Sequence, residues 1–392
     1  MSRRSHRKSK TGCLRCKRRH IKCDEHRPIC INCTTAGFEC IFQHAVGVSA
    51  VDESRASQLN EVRLAIDNKI VSTPVTTRDG LVEINVLDLQ LFHHFISELT
   101  FLFWSTTEYK EKYKEILVSN ALKHQYLMSE LLAFSALHMS DQMPELKKFY
   151  REVATSYQNR ALSSLKECLD SLDESNCIAV LLLSNLIGLH SFRDVFASLS
   201  ESNHFNEFLI RLTHVINLQR GIRAVMSPRW KWFWSSEIGP IIQNTYNIRQ
   251  QSAKMNGSET EMLKQFILSS DLKDSTRELF LETIRNLQID FNQLKLSADP
   301  EPTSAQGLFA WVITLSNEFI ILLEAEMPEA LLILSYFGVI LHRYRNFWLV
   351  HDAGRVLVNF VISRLGLSYS PCLVWADEQT KLERSNGNHE VS

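Results

Sequence analysis

The stretch CLRCKRRHIKCDEHRPICINCTTAGFEC, residues 13–40, holds six of the nine cysteines of a 392-residue chain. They stand at 13, 16, 23, 30, 33 and 40, so the spacing C-x2-C-x6-C appears, six residues intervene, and the same spacing returns. Such a duplication reads in two ways. Evenly placed cysteines can staple a small secreted fold through disulfides, or they can hold metal. The opening MSRRSHRKSKTG has no apolar core and does not read as a secretory signal. An intracellular, reducing setting is therefore expected, and it favours metal.

Thiolate is a soft ligand, and four thiolates placed tetrahedrally suit Zn(II), which imposes no geometry of its own. Six thiolates cannot fill two separate four-ligand shells, but they can if two sulfurs bridge both ions. The repeat makes Cys13 and Cys30, the first of each half, the natural bridging pair, with Cys16, Cys23, Cys33 and Cys40 as the other ligands. A centre so filled has no open position and is structural rather than catalytic. A segment of about 30 residues has too small a core to stand alone, so it should be unfolded without zinc.

The stretch as a whole, including Pro28 between the halves, resembles the binuclear zinc cluster DNA-binding domain of fungal transcription factors. Within that family the run RRHIKCDEHRPIC is most similar to the sterol-uptake-regulator type. The resemblance implies two Zn(II) ions per cluster, double-stranded DNA as partner and a nuclear location, with room for a cytoplasmic pool.

Charge is divided unevenly along the chain. Residues 1–44 carry eleven Lys and Arg against Asp24, Glu25 and Glu39, a net of +8, whereas the remaining 32 cations face 41 acids, a net of −9. The two parts should therefore meet different partners. Arg15, Lys17, Arg18, Arg19, His20 and Lys22 crowd the first half of the repeat, while no Lys or Arg lies between Cys30 and Cys40. Six thiolates and two Zn(II) leave a net charge of −2, which nearby cations stabilise. Held on a short rigid helix, the same cations become a probe for the major groove. Arg19 and His20 are expected at base edges, in the position range from which the family reads bases. Its readers of CGG triplets usually carry Lys where His20 stands. Arg15, Arg18 and Lys22 are expected at phosphates, which position the module without specifying sequence. The tail Arg3, Arg4, Arg7, Lys8 and Lys10 reads either as further phosphate contacts or as a nuclear import signal.

Four segments are expected: the cluster with its basic tail over 1–44, a linker over 45–84, an all-helical regulatory domain over 85–370 and a C-terminal tail over 371–392. VSTPVTTRDG, residues 71–80, marks the linker. Leu59, Val62 and Ile66 fit coiled-coil spacing for two heptads at most, a thin basis for a homodimer. Beyond 85 the apolar residues recur at helical spacing, as in Leu91, Phe95, Leu99 and Leu102, in Phe149, Val153, Tyr157, Ala161 and Leu165, and in Phe280, Ile284, Leu287, Phe291 and Leu294. The fold class is therefore mainly α, with ten or more helices after the cluster and a break at SADPEPTS, 297–304. The apolar runs 178–189 and 330–341 are about a dozen residues each, where a bilayer needs ~20, and so read as core helices with no membrane span.

PEALLILSYFGVILHRYRNFW, 328–348, and LLAFSALHMS, 131–140, are similar to the fungal-specific regulatory domain, and SPCLVWADEQT keeps a trace of its tryptophan-rich ending. The resemblance implies contact with transcription machinery and a hydrophobic small-molecule effector. The Phe92, His93, His94, Phe95 cluster and Trp230, Trp232 and Trp234 read as core or surface packing rather than a cofactor box, and the adjacent His93 and His94, about 100° apart on a helix, make a poor metal pair. Cys168, Cys177 and Cys372 lack ligand spacing and read as buried thiols. H-E-x-x-H, the Walker A loop, G-x-S-x-G and a dinucleotide fingerprint are all missing, so catalysis is not expected. The leading expectation is a sequence-specific transcription regulator; the alternative is an interaction or corepressor protein whose cluster does not touch DNA.

Overall fold

In the computed structural model, residues 13–19, 21–26, 30–36, 40, 85–100, 107–201, 205–296 and 307–381 are described. The chain divides into two units, 1–83 and 84–392. The linker, the heptad positions 59–69 and the SADPEPTS loop lie outside the described residues.

In the first unit each half of the cysteine repeat builds one turn of helix, α1 (Leu14–Arg18) and α2 (Ile31–Thr35). Five residues are far too few for a helix to persist alone. What surrounds them is a core made of sulfur: Cys13, Cys16, Cys23, Cys30 and Cys33 are buried and Cys40 packs against them.

The second unit is helical throughout its described residues, with fourteen α-helices and no strand. In order they are α3 (Val86–His94, running into a π turn at Phe95–Leu99), α4 (Thr107–Lys123), α5 (Gln125–Gln142), α6 (Lys147–Asp170), α7 (Cys177–Glu201), α8 (Phe205–Met226), α9 (Trp230–Ser235) and α10 (Gly239–Lys254). Then come α11 (Glu261–Ser269), α12 (Asp274–Leu296), α13 (Asn317–Glu324), α14 (Pro328–Arg343), α15 (Ala353–Leu365) and α16 (Pro371–Lys381). Two of them are buried on every side, as helices that are apolar all round must be. In α5 every residue from Ser129 to Ser140 is buried, and in α14 every residue from Ala330 to His342. Helices α6 and α7 pack on α5, and α15 and α16 pack on α14.

The apolar run 330–341 therefore is core. So is 178–189: among the described residues α7 alone is long and apolar enough to cross a membrane by length and composition, yet 72% of that window is buried in the helical body. Polar pins fix the register between helices. His190 Nδ1 on α7 meets Glu130 Oε1 on α5 at 3.0 Å, and Arg193 bonds Asp141 at 2.8 Å. On α12 the buried Asp290 accepts from Arg249 (2.8 Å) and from the Trp311 N–H (2.7 Å).

One boundary needs correction. The tail drawn from 371 onward begins with α16, which packs against α14 and α15 and buries Cys372, Leu373, Ala376, Asp377 and Thr380. The helical body extends at least to Lys381, because Cys372, Ala376 and Thr380 follow one another four apart and share a face.

Candidate metal centre and nucleic-acid interface

The six N-terminal thiols gather into two groups of four. Cys13, Cys16, Cys23 and Cys30 form one, Cys13, Cys30, Cys33 and Cys40 the other, and within each group all sulfurs lie within 4.8 Å of one another. Cys13 and Cys30 belong to both. The Sγ–Sγ distances are 3.7 Å for Cys13–Cys30, 3.8 Å for Cys13–Cys33 and 3.7 Å for Cys16–Cys30. Sulfurs set tetrahedrally about 2.3 Å from a common Zn(II) are ~3.8 Å apart, so the donors already stand at the edge length zinc requires. A disulfide needs about 2.05 Å, and all nine cysteines are free.

The thiols also need a cation to ionise together. Burial opposes ionisation of Cys13, but the Cys16 N–H and the Cys16 and Cys30 thiols outweigh it and bring it down to about 6. Burial pushes Cys16 up to about 12 and pushes Cys30 up as well. A divalent ion among them removes that conflict, since a coordinated thiol is deprotonated outright.

The sequence repeat is also a repeat of hydrogen bonds. Cys13 N–H donates to Cys23 Sγ (3.4 Å) as Cys30 N–H donates to Cys40 Sγ (3.2 Å). Cys13 Sγ accepts from the Cys16 N–H (3.4 Å) and so caps α1. The Ile21 N–H returns to the Cys16 carbonyl (3.2 Å), the six-to-one bond of a Schellman closure, and ends that helix. Two polar clasps tie the halves together. Asp24 Oδ2 accepts from the His26 (3.3 Å) and Ile31 (3.1 Å) amides, and Asn32 Nδ2 donates to the Lys22 carbonyl (2.8 Å). The Ile31 amide, first of its causes, holds the Asp24 carboxyl below its usual range. Neither Asp24 nor Asn32 was singled out from sequence. The only hint was that Asp and Asn beside a cysteine favour side-chain bonds to nearby backbone.

The basic residues flank this sulfur core. Arg15, Lys17 and Arg19 lie on or at the end of α1 with exposed side chains, and Lys22 is exposed just beyond it. Arg15 and Arg19 are four apart and fall on one face, with Lys17 turned away from both. Arg18 is the last residue of α1, and His20 lies outside the described residues. Helix α2 carries no cation.

In the helical unit the other candidates separate. His93 is exposed, whereas His94 Nε2 meets His138 Nδ1 at 2.8 Å, a pairing across helices that adjacency in sequence does not reveal. Trp230 and Trp234 are 43% and 40% exposed and lie against each other, so they pack at the surface. Cys168, Cys177 and Cys372 are buried. Four surface grooves of about 410 to 570 Å³ open on the helical unit.

Known proteins share both units. The fungal Zn(2)-Cys(6) binuclear cluster domain matches residues 11–47, and the fungal specific transcription factor domain matches 90–247. The chain is 26% identical to the Zn(2)-C6 fungal-type transcription factor afumD of Aspergillus fumigatus over 337 residues, 83% of either chain. It is 23% identical to a Zn(2)-C6 fungal-type transcription factor of Gibberella zeae over 412 residues, 92% of this chain and 83% of that one. Likeness to sterol uptake control protein 2 of Candida albicans, 50% over 42 residues, covers 11% of this chain and 6% of the relative. The cluster binds two zinc ions, the matched families are transcription factors and not enzymes, and such factors are nuclear. The chain is a DNA-binding transcription regulator that carries a fungal Zn(2)-Cys(6) binuclear cluster domain and a fungal specific transcription factor domain.

Proposed function

We propose that Cys13 and Cys30 bridge the two zinc ions, with Cys16 and Cys23 completing one shell and Cys33 and Cys40 the other. The observation carrying this reading is the pair of four-thiol groups that have those two residues in common. Zinc held by these thiolates would neutralise their buried charge, and α1, fixed through Cys13 and Cys16, enters the major groove. Arg19, with His20, reads base edges, where a bidentate Arg on guanine discriminates by ~1–3 kcal/mol. Arg15, Lys17, Arg18 and Lys22 meet phosphates. The acidic helical unit serves as the response domain, accepting a small-molecule effector and contacting transcription machinery. A homodimer through 59–69 and a cytoplasmic pool belong to the same reading.

Selection of bound sequences from a random DNA pool by the purified zinc-loaded chain tests it. A defined motif is expected. Arg19→Ala should relax one position of that motif, and Arg18→Ala should weaken binding evenly across sequences. A motif unchanged by Arg19→Ala removes that residue from the readout.

A further inference from the structure

Helices α12, α14 and α16 surround a groove of about 460 Å³ that is apolar on one side and cationic on the other. Phe291, Leu294 and Trp375 form the apolar wall. Trp375 is held by the edge of Phe291 (centroids 6.2 Å) and by the buried Tyr336 ring stacked on it (4.6 Å). Trp375 also borders a second, more apolar concavity of about 410 Å³ that includes Met262, Leu367 and Val374.

The polar side is unbalanced. Glu259 is already committed, to Lys295 at 2.6 Å and to the Gln288 amide at 2.9 Å. The half-buried Arg343 bonds only the neutral Gln379 carbonyl oxygen (2.7 Å), with no carboxylate at ion-pair distance among the described residues. Arg343 and Lys295 against Glu259 leave one positive charge. Burial, and then Arg345, press the Arg343 guanidinium below its usual range, a cost that an anion would offset. A guanidinium fork is shaped for a carboxylate.

We infer that this groove binds a small carboxylic acid with an apolar body, its carboxylate on Arg343 and its body along Phe291, Leu294 and Trp375. The volume falls within the range of small-ligand sites. This deepens the effector reading above and rests on it for its regulatory meaning, though not for the binding itself.

Calorimetric titration of the full zinc-loaded chain with decanoate tests the site, with decanol as the uncharged control. Decanoate should bind saturably at one site, and both decanol on the native chain and decanoate on Arg343→Gln should bind at least about tenfold more weakly, as expected for loss of a charge-assisted bond. If Arg343→Gln lowers the melting temperature of the free protein, Lys295→Gln serves instead. That position is exposed, and its loss cancels the excess positive charge, so decanoate should weaken there too. No decanoate binding, equal binding of decanol, or native affinity in a folded Arg343→Gln or Lys295→Gln variant overturns the site. Saturable, Arg343-dependent binding with no change in reporter transcription upholds the site and removes the effector reading alone.

Discussion

At the scale of single residues, the cysteines were legible because their chemistry is local. A C-x2-C pair places two sulfurs within one helical turn, and the duplication points to Cys13 and Cys30 as the pair proposed to be shared. Asp24 and Asn32 were not legible, since their bonds to Ile31 and Lys22 cross between the two halves and depend on how those halves are placed in space. The sharing gives an asymmetry between thiols. Cys13→Ser should remove a ligand from both ions and, in the same step, the Sγ that caps α1. Cys40→Ser removes one ligand from one ion and leaves the α1 group of four intact. Mass-spectrometric zinc counts on the full chain should therefore fall from two to none for Cys13→Ser, with DNA binding lost. Cys40→Ser should retain one ion more readily. Equal zinc counts in the two variants would exclude the bridge.

Among elements, the central helices announced themselves by continuous apolar runs. The last helix did not, because α16 buries small and polar residues, Ala376, Asp377 and Thr380, that make no apolar stripe. Close helix crossings are equally silent in sequence until the partner is known. Gly354 opens α15 against α14 so tightly that a Cβ there would overlap the His342 backbone nitrogen and the Gly338 carbonyl oxygen. Both obstacles are backbone and cannot rotate aside. Gly354→Ala should then cost roughly 1–3 kcal/mol, as overpacking does. Gly221 on α8 has nothing within 4 Å of a built Cβ, so Gly221→Ala should gain about 0.5–1 kcal/mol through helix propensity. Urea midpoints of the two variants should move in opposite directions; a shared direction would refute the tight crossing.

For the whole molecule, the helical unit is expected to be acid-sensitive through its histidines. Burial lowers His94, His124, His138, His342 and His351, and brings His138 and His342 down to about 4. His138 faces His94 and His351, and His342 faces Arg345, Arg343 and Arg355, with Asp352 opposing. Between pH 6.5 and 4 the unfolded chain takes protons that the folded chain refuses, so stability is present above the unfolded value and is lost as pH falls, by up to ~1.4 kcal/mol per pH unit for each proton. Two carboxyls act the other way: burial raises Glu130 and raises Asp290 to about 6, so folding retains their protons as pH falls. Five histidines against these two carboxyls leave a net loss in acid. All seven tryptophans lie beyond residue 100, so their fluorescence reports this unit apart from the zinc cluster. His342 provides the decisive variant, because both of its buried ring nitrogens lack a hydrogen-bond partner among the described residues. His342→Leu keeps the position filled and removes a desolvated polar group worth ~1–3 kcal/mol. The variant should be more stable than the native chain at pH 7, and its margin should widen at pH 5, where the native chain gives up His342 protonation. A fluorescence-monitored urea midpoint that stays level between pH 7 and 5 in the native chain, or a His342→Leu margin that narrows in acid, would reverse the sign assigned to these histidines.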